Sequence, residues 1–207
     1  SMQKVLALSG AALLSLACWS LRRWRRGNVI PGREVLPGWF ALLERAGAQL
    51  VMMPEWQNGV SWRRANGWVG DDYVHGQQAP VHIGAYALRT LDGATQLVGA
   101  AHFGPHAESH KGLCHGGTMC ALMDDVIGWT GFCASGVCEP WSGFTVQVNV
   151  ALKAPVTVGS WLRVEGTVSK VDGRKVWVKA ALVSVAEDGS ATALHCEADG
   201  LFLATRK

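Results

Sequence analysis

One apolar helical run stands among strands, and it fixes what this chain can become. From Val81 onward most segments alternate apolar and polar residues with a period of two. The stretch "GTMCALMDDVIGWTGFC", from about Gly117 to Cys133, breaks that rhythm and reads as a helix. Before it lies a hairpin, "VHIGAYALRT-LDG-ATQLVGAAHF", with "LDG" as its turn, and then the irregular "GPHAESHKGLC". After it come a loop to Ser142 and the strand patterns "FTVQVNVALK", "SWLRVEGTVSKV", "KVWVKAALVSVA" and "ATALHCEADGLFLA", with "DGR" and "EDGS" as turns. The order is a hairpin, one long helix and an antiparallel meander. It predicts an α+β fold in which a highly curved antiparallel sheet wraps a single long central helix.

The start of that helix is unusual. "CHGG" places Gly116 and Gly117 where the backbone can approach another group closely. The first amides of a helix lack internal partners and carry the positive end of its dipole. They suit an anion, or an oxyanion formed during acyl transfer. Two glycines also suit a plain loop-to-helix turn. Asp124 lies eight residues after Gly116, about two turns on and ~12 Å along the axis. One scissile carbonyl cannot touch both. If both serve one reaction, the donor and the carboxylate come from different chains, which predicts a homodimer with shared sites. A helix-surface carboxylate is the plainer reading of Asp124, but Met123, Val126 and Ile127 argue against full solvation. Asp125 points about 100° away and is the secondary candidate.

Ahead of the sheet, "GNVIPGREVLPG" reads as a linker. "WFALLERAGAQLVMM", residues 39 to 53, has helical spacing and predicts an amphipathic helix despite Gly47. Residues 54 to 80 read as loop. Trp56, Trp62 and Trp68 there either cover an edge of the core or form a lid or partner surface. Further upstream, Val5 to Leu21 is a seventeen-residue run without a charge, ~25 Å long as a helix. Trp19, Trp24 and the arginines of "RRWRR" border it. The run predicts an N-terminal hydrophobic helix that anchors the chain in a membrane, with the folded body on the arginine side. The absence of acidic residues before Glu34 fits an organellar address as well, and Lys4 could open a secretory signal. The expected division is 1–27 anchor or targeting segment, 28–80 linker, amphipathic helix and Trp-rich extension, and 81–207 the domain of the curved sheet and its helix.

Charge excludes one function class. The formal net charge is +3, but Lys4, Arg22, Arg23, Arg25 and Arg26 supply five of the nineteen basic residues. The remaining 14 face 16 acidic residues, so the body is no nucleic-acid binder. His102, His106, His110 and His115 fall close together and raise a zinc reading. No C-x-x-C or H-E-x-x-H pattern accompanies them, so neither a metal nor any other cofactor is expected. Cys133 and Cys138 have the spacing of a local disulfide, although buried free thiols are the default inside cells.

Several segments together carry a resemblance. "GPHAES", "GLCHGG", "TMCALMDDVIG", "FTVQVNVALKAPV", "KVDGRKVWV" and "CEADGLFL" resemble the hotdog-fold acyl-CoA thioesterases of the phenylacetate-pathway type. Within these the chain is most similar to the mitochondrial long-chain acyl-CoA thioesterases, over roughly residues 99 to 204. The resemblance implies a hotdog fold, a homodimer or dimer of dimers, and hydrolysis of fatty acyl-CoA without a cofactor. It implies that His115 and Gly116 form the helix start, with the Gly116 N–H polarising the thioester carbonyl. Asp124 would be general base or nucleophile, and Thr145 would orient the water or the carboxylate. Gly117, Asn149 and Trp129 are the candidate substrate-binding residues, Trp129 by narrowing an acyl channel. Asp125 departs from the pattern, since a second carboxylate repels Asp124 and raises its pKa. The expected setting is mitochondrial and membrane-associated through residues 5–21, with another organelle or endomembrane as the alternative. The rival function is a non-catalytic hotdog subunit of a larger membrane complex.

Overall fold

The computed structural model describes residues 36–51, 54–76 and 79–205, and for 54–59 the backbone alone. The 5–21 run and its arginines, and with them the expected N-terminal hydrophobic helix, lie outside the described residues. Among the described residues no helix is long and apolar enough to cross a membrane.

The chain enters through α1 (Gly38–Arg45), β1 (Gln49–Val51) and α2 (Pro54–Ala65). This corrects two expectations. The helix foreseen over 39–53 ends at Arg45, because Gly47 takes a left-handed conformation (φ 88°) and Leu50 and Val51 then join the sheet. The loop foreseen over 54–80 contains a helix of three turns, with Pro54 at its first position, where the missing N–H is not needed.

The hairpin forms as expected from β2 (Val81–Leu91) and β3 (Ala94–Phe103). Asp92 (φ 50°) and Gly93 (φ 78°) make its two-residue turn, both left-handed, the geometry that matches strand twist. A short hairpin that the alternation did not reveal follows: β4 (Glu108–His110) with β5 (Leu113–Cys114). Then come the long helix α3 (Gly116–Phe132) and the strands β6 (Gly143–Leu152), β7 (Trp161–Asp172), β8 (Lys175–Val185) and β9 (Ala191–Ala204). The sheet order is β1-β2-β3-β7-β8-β9-β6, with antiparallel pairs throughout. The last strands are therefore not a sequential meander. β7, β8 and β9 are, but β6 crosses to the far edge beside β9.

The curved sheet holds α3 against β3, β7, β8, β9 and β6. Leu122, Met123, Val126 and Ile127 of the helix are wholly buried, each contributing roughly 1.5–3 kcal/mol of burial. A glycine sets how closely the helix seats. A Cβ on Gly200 of β9 would stand 2.5 Å from the Ile127 side chain. A second, smaller core lies on the outer face of the sheet. There Trp39, Phe40 and Leu43 of α1 cover Ala87, Val98 and Ala100. The small residues of β2 and β3 make that face flat enough to accept a helix.

Candidate active site

The helix start is built by His115. Its backbone is extended (φ −67°, ψ 135°), and its ring Nδ1 accepts the Gly117 N–H at 2.8 Å. The imidazole is thus an N-cap, a role usually taken by Ser, Asp or Asn. An accepting Nδ1 carries no proton, so the ring is the neutral tautomer protonated on Nε2. The His115 amide donates to the Ala107 carbonyl at 2.7 Å, which ties the cap to the loop before it. The cap consumes the Gly117 amide. The Gly116 N–H, first of the helix, has no acceptor within it and carries the dipole's positive end. A Cβ on Gly116 would stand 2.7 Å from Cδ1 of Leu152, so glycine lets the end of β6 close over the helix start.

Two turns on, Asp124 meets Thr145. The Thr145 side chain lies beside the Asp124 carboxyl, close enough to act on its titration. Gly128, one turn further, makes room for it, since a Cβ there would lie 3.2 Å from Thr145 Oγ1. Asp124 remains exposed as a residue, yet surrounding atoms crowd its carboxyl. Partial desolvation raises its pKa above the ordinary carboxylate value, the Thr145 side chain opposes this, and the charge of Asp125 adds to the rise. A carboxylate held in this way is a better base than a free aspartate.

The remaining candidates lie elsewhere. Asn149 is exposed on β6 between Val148 and Val150, which pack on the core, so it faces the outer side, paired with Asp199 of β9. The structure does not bring it to the helix start. Trp129 is buried in an aromatic cluster with Phe132 (5.3 Å between ring centres), Trp141 (6.0 Å), Tyr86 (6.2 Å) and His75 (5.9 Å). Trp68 stacks on Trp141 at 4.8 Å and receives the Arg63 guanidinium over its face at 4.3 Å. Trp68 thus lies against the rim of this cluster, and the side chain of Trp56 lies outside the described residues. Cys133 and Cys138 are free thiols that lie close to each other. Sequence reasoning missed His75 and Tyr86, which meet Asp125. For Tyr86 the signal was available, because the alternation of β2 turns it inward onto the helix.

Comparison with known proteins agrees with this architecture. Residues 111–189 match the family model of the thioesterase superfamily. Acyl-coenzyme A thioesterase THEM4 of Bos taurus is 31% identical over 100 residues, 48% of this chain and 37% of that protein. Acyl-coenzyme A thioesterase THEM5 of Mus musculus is 28% identical over 101 residues, 48% of this chain and 37% of its own length. The chain thus spans well under half the length of these two curated relatives. The crystal structure of zebrafish thioesterase superfamily member 2 superposes with a TM-score of 0.49 and 15% identity, over 70% of this chain and 93% of that one. Over residues 111–189 the chain is thus similar to the thioesterase superfamily, and its antiparallel sheet packed on one long helix is the architecture expected of a hotdog fold.

Proposed function

We propose that the protein hydrolyses fatty acyl-CoA thioesters to free acid and CoA, at sites shared by two copies of the chain. One observation carries the reading. The two catalytic features sit at opposite ends of one edge strand. Thr145, near the start of β6, meets Asp124 and Gly128, and Leu152, at its end, covers Gly116. Among the described residues β6 pairs with β9 alone, which leaves its other side open. If a second copy adds its own β6 antiparallel about a two-fold axis, start meets end. The Asp124–Thr145 pair of one copy then faces the Gly116 amide of the other. The ~12 Å along one helix, too far for a single carbonyl, becomes a short distance across two chains.

The chemistry follows. The Asp124 carboxylate takes a proton from a water molecule that the Thr145 hydroxyl helps to orient. The water oxygen attacks the thioester carbonyl carbon. The Gly116 N–H of the other copy receives the developing oxyanion at the positive end of its helix. Collapse breaks the C–S bond, and the CoA sulfur recovers the proton from Asp124. A thiol is a good leaving group, with a pKa near ~8.5, so little acid assistance is needed. General-base catalysis supplies roughly 10²–10⁴-fold, and one oxyanion donor a further ~10²–10³-fold.

The names of the relatives, both acyl-coenzyme A thioesterases, support this substrate class. No observation favours the reading as a non-catalytic subunit. A mitochondrial membrane setting belongs to the same proposal and rests on residues 5–21 alone; fractionation of the full chain tests it. The function itself is tested with Asp124→Asn, assayed on acyl-CoAs of graded length. Loss of turnover with an unchanged oligomer mass is expected. Turnover equal to the parent protein would refute the mechanism.

A further inference from the structure

Asp124 as base leaves its neighbour unexplained. Asp125 turns about 100° round the helix and reaches a buried polar cluster. The Tyr86 hydroxyl donates to Asp125 Oδ2 at 2.8 Å, and His75 Nε2 lies 3.3 Å from the same oxygen. Tyr86 is fully buried, and the side chains of His75 and Asp125 are 2% and 15% exposed. A carboxylate placed so deep needs partners to be tolerated, and here two different elements bring them, a hydroxyl donor and an imidazole within ion-pair distance. Tyr86 comes from β2, while His75 comes from the segment ahead of the sheet. That segment is braced. Asp72 Oδ1 accepts the amides of Val74 (3.0 Å) and His75 (2.7 Å), and Arg63 pairs with Asp72 at 3.4 Å and donates to the Gly70 carbonyl at 3.0 Å. Trp129 closes over both rings.

We propose that His75 and Tyr86 are positioning residues for hydrolysis: they bind the charge of Asp125 in a buried pair and so set the basicity of Asp124. This rests on the reading of Asp124 as the base. Adjacent carboxylates repel, and the charge of Asp125 bears on Asp124. How strongly it does so depends on its partners. The Tyr86 donor draws the charge toward β2 and away from Asp124, and a protonated His75 compensates it. The titratable and charged groups around the pair are Asp124 and Cys133 of α3, Tyr86 of β2, and Asp72, held by Arg63, from the preceding segment. Among the described groups that touch Asp125, only the imidazole can become cationic, and a free histidine does so as pH falls through ~6.5, on the way down to the carboxylate range.

The test is the pH profile of kcat/KM of the full chain with a fatty acyl-CoA, with folding checked by circular dichroism. Asp125→Asn removes the repulsion, so the acid limb moves to lower pH, by roughly half to one unit. His75→Gln keeps a neutral hydrogen-bonding side chain but removes the compensating charge, so the limb moves to higher pH. In an Asp125→Asn background, His75→Gln moves nothing. Tyr86→Phe, which withdraws one donor, also moves the limb upward and serves if His75→Gln does not fold. An unmoved limb in the folded variants overturns the proposal, as does a His75→Gln shift that persists without Asp125. If Asp124→Asn itself stays active, the underlying reading of the base has failed instead.

Discussion

Replacing Gly116 with proline isolates a single hydrogen-bond donor. Gly116 is the first residue of α3, where proline is favoured because that N–H has no helical acceptor. A proline also requires an extended residue before it. His115 already has φ −67° and ψ 135°, which suits it. The one steric obstacle is the new Cβ, 2.7 Å from Cδ1 of Leu152. Since that atom ends a flexible side chain, a rotamer change clears it at a cost of about 0.5–1.5 kcal/mol. Gly116→Ala meets the same obstacle but keeps the amide, so the pair of variants differs chiefly in one N–H. Thermal unfolding followed by circular dichroism is expected to place the two midpoints within a few degrees of each other. Thioester hydrolysis, followed through released CoA thiol, is expected to separate them widely. Loss of one oxyanion donor costs ~2.7–4 kcal/mol of transition-state stabilisation, or ~10²–10³ in kcat. KM changes little, because the donor acts on a charge that is absent from the ground state. If the folded proline variant turns over as fast as the alanine variant, the Gly116 amide does not hold the oxyanion.

Further outcomes follow from the same geometry. The raised pKa of Asp124 means that the folded state holds its proton more tightly than the unfolded chain does. Stability from this group is therefore lost as pH rises from the unfolded value near ~3.9 through the higher folded one. Asp124→Asn is expected to abolish turnover while leaving the melting temperature at neutral pH equal or higher, and a clear drop in that temperature would contradict the reading of Asp124 as a desolvated, repelled carboxylate. Phe144 on the open strand is 69% exposed; Phe144→Asp should leave the fold intact, reduce the proposed dimer to monomer by light scattering and remove activity with it. Gly200→Ala forces a Cβ to within 2.5 Å of Ile127 and should cost ~1–3 kcal/mol in denaturant unfolding.

The alternation from Val81 onward carried most of the fold, and residues that resist it carried the rest. Asp92 and Gly93 mark their hairpin because few other residue types tolerate two left-handed positions in succession. The helix was legible because an apolar run without alternation fits nowhere else. What could not be read was long-range. β6 looks like any other strand, and nothing local to "FTVQVNVALK" says that it pairs with β9 at the edge and not with β7. Residues 54 to 65 look like loop because the helix contains Asn58 and Gly59, poor helix formers, and little apolar periodicity. Within the site, Asp124 and Thr145 were legible through resemblance, and the structure joins them. Asn149 fails to join because the strand's alternation turns it outward. His75 left no local mark. A histidine in an irregular segment gains meaning only when folding brings it to Asp125.

The two edges of the sheet argue for where a second copy binds. A long unpaired edge strand is a liability that proteins cover, shorten or charge. At one end of this sheet β1 is three residues long, Gln49–Val51, too short to template another strand. At the other end β6 runs ten residues, and its face is not defended. Phe144, Val146 and Leu152 are 69%, 54% and 50% exposed, with no lysine or proline among residues 143 to 152. A sequence under pressure to stay monomeric would have placed a charge there. Leaving apolar side chains on an open ladder makes sense if another ladder covers it. By symmetry, the strand best matched in length and pattern is β6 itself. In the proposed dimer that pairing would close the edge and carry each Gly116 amide toward an Asp124 that its own helix cannot reach.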